Sequence, residues 1–211
     1  MKNQDKMALS SKYKSLVNKP KTKRGQITLD KLIKSAEKNF LANVFYNTTI
    51  NNITNDAGVG LGTFYVYFDE KLSIYKYLLS QYSYQIRKQI AINVGATKDR
   101  KQAEKIGLKS FIEYIKEKPH IYHIIWESLY IDQKLFVDYY TEFANSYIEA
   151  LDEAFKNGQI KKYDNEVVAY MLMGVSNFIG LRWSIFDDVK DFSKIFYVAI
   201  EVLDKGLFTD K

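Results

Sequence analysis

The sequence predicts an all-α fold of about nine helices, with a small three-helix N-terminal domain carrying a helix-turn-helix and a larger helical C-terminal domain. Three observations lead there. Apolar residues recur three and four apart along nearly the whole chain beyond residue 25. No stretch alternates as a half-buried strand would. The breaks between periodic runs carry Gly, Asn, Asp and proline, which stop and start helices. With 211 residues, 46% of them hydrophobic, the chain can fill one domain or two small ones with a real core.

The first 25 residues hold eight basic side chains, ending in Lys19-Pro20-Lys21-Thr22-Lys23-Arg24-Gly25, and few large apolar ones. Residues 1–25 are therefore expected to form a basic, flexible arm. Thr28 as N-cap, Asp30 in the first turn, and Leu29, Ile33, Ala36, Phe40 and Val44 at helical spacing predict a helix over 28–45. Further helices are predicted over 49–56, 60–66, 70–92, 100–117, 120–129, 133–157, 164–186 and 191–206. Pro119 suits the first position of a helix, Gly158 the left-handed position just past one, and Asp191 a cap on the last. The expected boundaries are the arm 1–25, the helix-turn-helix domain 26–70 and the C-terminal domain 71–211.

Charge is unevenly spread. Residues 1–68 carry 11 Lys and Arg against four acids, whereas 69–211 carry 20 basic and 21 acidic residues. A basic head on a nearly neutral body is expected where one end meets a polyanion, although a solvated lysine-rich terminus gives the same sum. The segment Thr48–Phe68, TTINNITNDAGVGLGTFYVYF, separates the two readings. Thr48 or Thr49 caps a short helix with Ile50, Ile53 and Ala57 facing inward. Gly58 makes a tight turn, Val59 plugs the angle, and a second helix opens at Gly60 with Phe64 and Phe68 locking it inward. The outer face of that second helix can lie in a DNA major groove.

The Ala57-Gly58-Val59 turn, Gly62-Thr63-Phe64-Tyr65, Tyr67-Phe68 and Lys71 resemble the DNA-binding domain of TetR-like repressors. The likeness covers about 28–75 at motif level and fits the chain in length and helical character. It implies that Thr48 and Thr49 stand at a helix N-terminus that meets a phosphate. It makes Leu61, Gly62, Thr63 and Tyr65 the recognition helix, with Gly62 permitting close approach and Leu61 and Thr63 touching base edges or thymine methyls. Tyr65 and Tyr67 would contact phosphate, and Lys71 would neutralise one; packing is the competing role for each tyrosine. Two departures stand out: Gly60 replaces the common serine, leaving the recognition helix without a side-chain cap, and Thr54 replaces a small alanine. No Lys or Arg lies between 48 and 68, so no bidentate guanine reader is present. Affinity is then expected to lean on Lys21, Lys23 and Arg24, following the backbone or entering a minor groove.

The body is rich in aromatic residues three and four apart, which are core by default; an aromatic-lined cavity with polar tips is also the usual form of a ligand site. The resemblance makes this region an effector pocket, with Trp126, Tyr130, Tyr140, Phe143, Met173, Asn177 and Arg182 as candidates. Residues 139–183 loosely resemble regulators of the family that respond to fatty acids or acyl-CoA. Helix 164–186 is apolar on nearly every face and 191–206 along one stripe, so a second subunit is expected to cover them. In TetR-like proteins the last two helices form a dimer's four-helix bundle, which implies a near-palindromic operator of double-stranded DNA. Release from it by a small apolar or amphipathic effector would make the chain a repressor.

Other classes are less well supported. With no cysteine there is no disulfide, thiolate metal site or cysteine nucleophile. No Gly-rich phosphate loop, nucleophile elbow or carboxylate pair is present, so neither enzyme activity nor cofactor nor metal is expected. His120, His123 and Glu127 could place three ligands on one helix face, the one route to a helical metalloenzyme. A nonspecific nucleoid-type DNA-binding protein would suit the basic arm but not the large aromatic body. The absence of a long apolar stretch or an N-terminal apolar segment makes a cytoplasmic protein the expectation, with no membrane partner.

Overall fold

The structure, a computed structural model, describes residues 16–187, 189 and 191–207. Nine α-helices follow one another in these residues: α1 (Lys23–Asn47), α2 (Ile50–Ala57), α3 (Leu61–Tyr67), α4 (Lys71–Val94), α5 (Arg100–Glu117), α6 (Ile121–Ile131), α7 (Gln133–Lys156), α8 (Asn165–Gly180) and α9 (Ser193–Leu207). A π-helical segment, Leu181–Phe186, continues α8. No sheet occurs among the described residues. The chain divides into two compact units, one of residues up to 84 with 120–139, the other of 85–119 with residues from 140 onward. The dividing points fall inside α4 and α7.

Helix α1 starts five residues earlier than the spacing predicts. Thr22, not Thr28, is the N-cap, its hydroxyl accepting from the Gly25 amide at 3.1 Å. Thr28 sits inside the helix and donates back to the Arg24 carbonyl at 3.1 Å. Gly25 reads as a break but belongs to the first turn, where a Cβ would come within 2.7 Å of the Pro20 side chain. The expected arm is correspondingly shorter: Val17 is buried, the Asn18 amide donates to the Tyr67 carbonyl at 2.9 Å, and Lys23 and Arg24 are helical. The remainder of the arm, 1–15, lies outside the described residues.

The first unit is built on rings. Phe40 packs edge-on against Tyr75 at 5.1 Å between centroids, and Phe45 against the same ring at 5.2 Å. Leu32, Phe40, Ile53, Phe64, Phe68 and Ile74 are buried with them, each contributing roughly 1.5–3 kcal/mol by leaving water. Ser35 on α1 donates to the Ile53 carbonyl of α2 at 2.7 Å, satisfying a hydroxyl that the close packing would otherwise strand.

In the second unit Leu151, Ala154, Ile160, Val168, Ala169 and Leu172 form a buried cluster, with Tyr147, Ile148 and Leu203 against it. Beside it Arg100 pairs with Glu104, and the Tyr147 hydroxyl donates to the same carboxylate. Burial, then the Glu104 charge, pushes the Tyr147 phenol well above its usual range. Gly158 takes the left-handed conformation (φ 66°) after α7, as its position suggests. Asp191 accepts from the Ser193 amide at 2.9 Å at the start of α9. Helix α6 begins at Ile121, two residues past Pro119. No helix among the described residues is long and apolar enough to cross a membrane.

Candidate nucleic-acid interface

The local chemistry of Thr48–Phe68 produces two short helices at an angle. Thr49 is the cap of α2: its hydroxyl accepts from the Asn52 amide at 3.1 Å, and the Asn52 side chain accepts from the Thr49 amide at 2.8 Å. This reciprocal pair satisfies two of the helix's free amides. Thr48 is fully buried instead, its hydroxyl bonded to the carbonyls of Val44 at 2.8 Å and Asn39 at 3.0 Å. At the other end Gly58 adopts φ 66°, and its amide reaches the Asn55 carbonyl at 3.1 Å. Only glycine takes that conformation without steric cost, which is why the turn is placed there. Gly60 then precedes α3 without a side-chain cap, as its lack of a hydroxyl dictates.

The inner face of α2 is Ile53, Thr54 and Ala57, with the Thr54 hydroxyl returned to the Asn51 carbonyl at 3.3 Å. The extra polar atom at position 54 is thus satisfied locally. Val59 is half-buried between the two helices. On α3, Phe64 and Tyr67 face inward, with Phe68 buried just beyond. The opposite side exposes Leu61 (47%), Tyr65 (51%) and Val66 (60%). A Cβ at Gly62 would meet only open space, so another backbone can approach closely there. Thr63 lies half-buried at the edge of this face.

Tyr67 does not present its phenol to solvent. The ring is buried and the hydroxyl donates to the Gly25 carbonyl at 3.1 Å, while the Tyr67 carbonyl accepts from the Asn18 amide at 2.9 Å. These two bonds tie the chain on either side of Lys21, Lys23 and Arg24 to the end of α3. All three cations are exposed. Tyr67 therefore holds the segment carrying these cations beside α3, the packing role that competes with direct phosphate contact.

Lys71 is also engaged. Its ammonium donates to the carbonyls of Phe45 and Thr48, both at 2.7 Å, and lies 4.2 Å from the Phe45 ring centre. It covers the C-terminal carbonyls of α1, where a cation is favoured. Next to it Glu127 of α6 accepts from the Phe45 amide at 2.5 Å. That amide is available because Val44 breaks the helix with φ 55°, ψ 170°, a costly conformation for a β-branched residue. Burial lowers the Lys71 pKa and raises that of Glu127, although the Phe45 amide and the Lys71 charge oppose the latter shift. The joint between α1 and α2 is thus held by a cation from α4 and a carboxylate from α6. The resemblance gives Lys71 a phosphate and the sequence offers Glu127 only as a third ligand in a disfavoured metal reading; the partners that build this joint lie too far apart in the chain to leave a local signal.

The candidates for an effector site are dispersed. Trp126 and Tyr130 lie on α6 in the first unit, exposed, Tyr130 by 80%. In the second unit Met173 is buried, Tyr140, Phe143 and Asn177 are half-buried, and Arg182 is exposed in an ion pair with Asp187. The Asn177 amide donates to the Met173 carbonyl at 2.8 Å, one turn back on its own helix. An apolar groove of about 520 Å³ runs between α8, its π segment and α9, lined by Val175, Ile179, Trp183, Ile195, Val198 and Val202 among others. None of the seven candidates lines it. His120, His123 and Glu127 are not gathered: His120 Nε2 stands 3.2 Å from Glu37, and among the described residues no three such side chains could hold a metal ion.

The sequence matches no family model and no curated relative. The helical architecture, however, is that of TetR-family transcription regulators. A TetR family regulator from Marinobacter aquaeolei superposes with a TM-score of 0.72 at 13% identity, over 89% of this chain and 98% of that one. The fatty acid degradation regulator FadR of Bacillus halodurans gives 0.73 at 18% identity, over 88% and 96%. FadR of Bacillus subtilis, solved with stearoyl-CoA, gives 0.69 at 17% identity, over 84% and 98%. At these identities the likeness establishes the fold.

Proposed function

We propose that this chain is a site-specific regulator of transcription that binds double-stranded DNA as a homodimer in the cytoplasm. It acts as a repressor, released from a near-palindromic operator by a small apolar or amphipathic effector. The observation that carries the reading is α3: one face is anchored by Phe64 and Tyr67, while the other presents Leu61, Gly62 and Tyr65 next to exposed Lys21, Lys23 and Arg24. A short, rigidly seated helix with a free face and adjacent cations is suited to major-groove entry with flanking phosphate contacts. No enzyme activity is proposed.

The dimer is supported by the apolar surface of α8 and α9, where Met171, Phe178, Tyr197, Val198 and Val202 are exposed and the last two line the groove. Contiguous apolar surface of this kind is ordinarily covered by a partner, and a two-fold pair sets two α3 helices one DNA turn apart. An acyl-CoA or fatty acid effector is suggested by the loose resemblance over 139–183 and by the structural likeness to the fatty acid degradation regulator of Bacillus halodurans and to the Bacillus subtilis FadR solved with stearoyl-CoA. The binding test is fluorescence anisotropy on the DNA upstream of the protein's own gene and on a scrambled duplex, across a salt series. Preference for the upstream duplex that persists at about 0.15 M salt is expected. Equal binding to both that disappears with salt would leave a nonspecific nucleoid-type protein instead.

A further inference from the structure

We infer that the base-reading face of α3 selects A·T pairs, through the methyl groups of thymine, and lacks the charged side chains that select G·C pairs. The inference rests on the DNA-binding reading above and narrows it to a class of operator. A G·C pair is read in the major groove by Arg or Lys on guanine O6 and N7, or by Asp or Glu on the cytosine amino group. Between residues 48 and 68 there is no Arg or Lys, and the one acid is Asp56. Asp56 is held by Lys38, whose ammonium pairs with its carboxylate and keeps its pKa low. Both charged readers of a G·C pair are therefore missing from this face, and the one short hydroxyl there, on the half-buried Thr63, bonds either pair.

An A·T pair differs by displaying the thymine methyl, which an apolar side chain recognises. The residue placed to do so is Leu61, at the first turn of α3 and on the same face as Tyr65 four residues later. Leu61 is half exposed with no role in the core. Gly62 beside it has no side chain to hold the helix off the groove, and the uncapped Gly60 adds no polar group there. The cations stand off this face, at Lys21, Lys23 and Arg24, where they meet phosphates and supply attraction without base choice. Charge complementarity to DNA thus comes from the flank, and discrimination from an apolar tip.

The experiment is selection of the full-length protein on a randomised duplex library at about 0.15 M salt. It is followed by measuring affinity for the selected duplex with deoxyuridine replacing thymidine in each half-site. Uracil pairs as thymine does and lacks only the methyl. The expected result is half-sites dominated by A·T pairs and a loss of about four-fold in affinity for each contacted methyl removed. The Leu61→Ala protein should show a smaller difference between the thymine and uracil duplexes than the unsubstituted protein. Half-sites with an invariant G·C pair under α3, or uracil duplexes bound as tightly as thymine ones by the unsubstituted protein, would overturn the inference while leaving site-specific binding intact. Failure to enrich any sequence would overturn the DNA-regulator reading itself.

Discussion

Two surfaces of this molecule expose large apolar side chains, and they differ in what surrounds them. On α3 the exposed Leu61, Tyr65 and Val66 border open backbone at Gly62. The cations Lys21, Lys23 and Arg24 lie beside them. On α8 and α9 Met171, Phe178, Tyr197, Val198 and Val202 are exposed, and the groove that Val198 and Val202 help to line carries a single charged residue, Lys194. The first arrangement suits a polyanion with a few apolar features in a groove; the second suits another apolar surface. An exposed apolar residue alone says little about function, and the neighbouring charge and backbone access separate the two cases.

The sharpest way to break the comparison is to place charge in the groove. Val198→Asp with Val202→Lys should give a folded monomer by sedimentation and cut operator affinity by more than about 100-fold, since the two reading heads would no longer be linked. An unchanged dimer would show that this surface has another use. At the other surface, Gly58→Val forces a β-branched residue into φ 66°. It should cost about 1–2 kcal/mol, seen as a lower Tm with weakened DNA binding. Lys71→Met removes the cation from the Phe45 and Thr48 carbonyls. About 1–3 kcal/mol of stability should be lost, and operator affinity should fall without any change in the preferred sequence.

The smallest effect concerns pH. Glu127 has a pKa raised above its usual value of 4.5, chiefly by burial. A carboxyl raised on folding contributes stability that is complete below its unfolded pKa and is lost as pH rises through the folded one. Glu127→Gln keeps an acceptor for the Phe45 amide but cannot ionise. The variant should therefore lose the decline in Tm that the parent shows from about pH 4.5 upward. A parallel pH profile in both proteins would remove Glu127 as its source.

How much of this was legible in the sequence follows from distance along the chain. The cap at Thr49, the left-handed turn at Gly58, the uncapped start at Gly60 and the inward Phe64 are set by neighbours within a few residues, and each was expected. The start of α1 was missed because Lys23, Arg24 and Gly25 look like an arm when read alone; Pro20 and Tyr67 make them part of the fold. Glu127 bonds an amide 82 residues away and Lys71 two carbonyls more than 20 residues back, pairings that no periodicity announces. The effector candidates lie on helices whose large side chains recur in periodic stripes. Such stripes do not distinguish the exposed Tyr130 from the buried Met173.

Whether two α3 helices read one operator is decided by hydroxyl-radical footprinting of the protein on its selected duplex. Two protected patches are expected on one face of the DNA, with major-groove centres one turn, about 34–36 Å, apart. The stoichiometry should be two chains per duplex. A single protected patch with one chain bound, or protection spread evenly along the DNA, would contradict the paired arrangement.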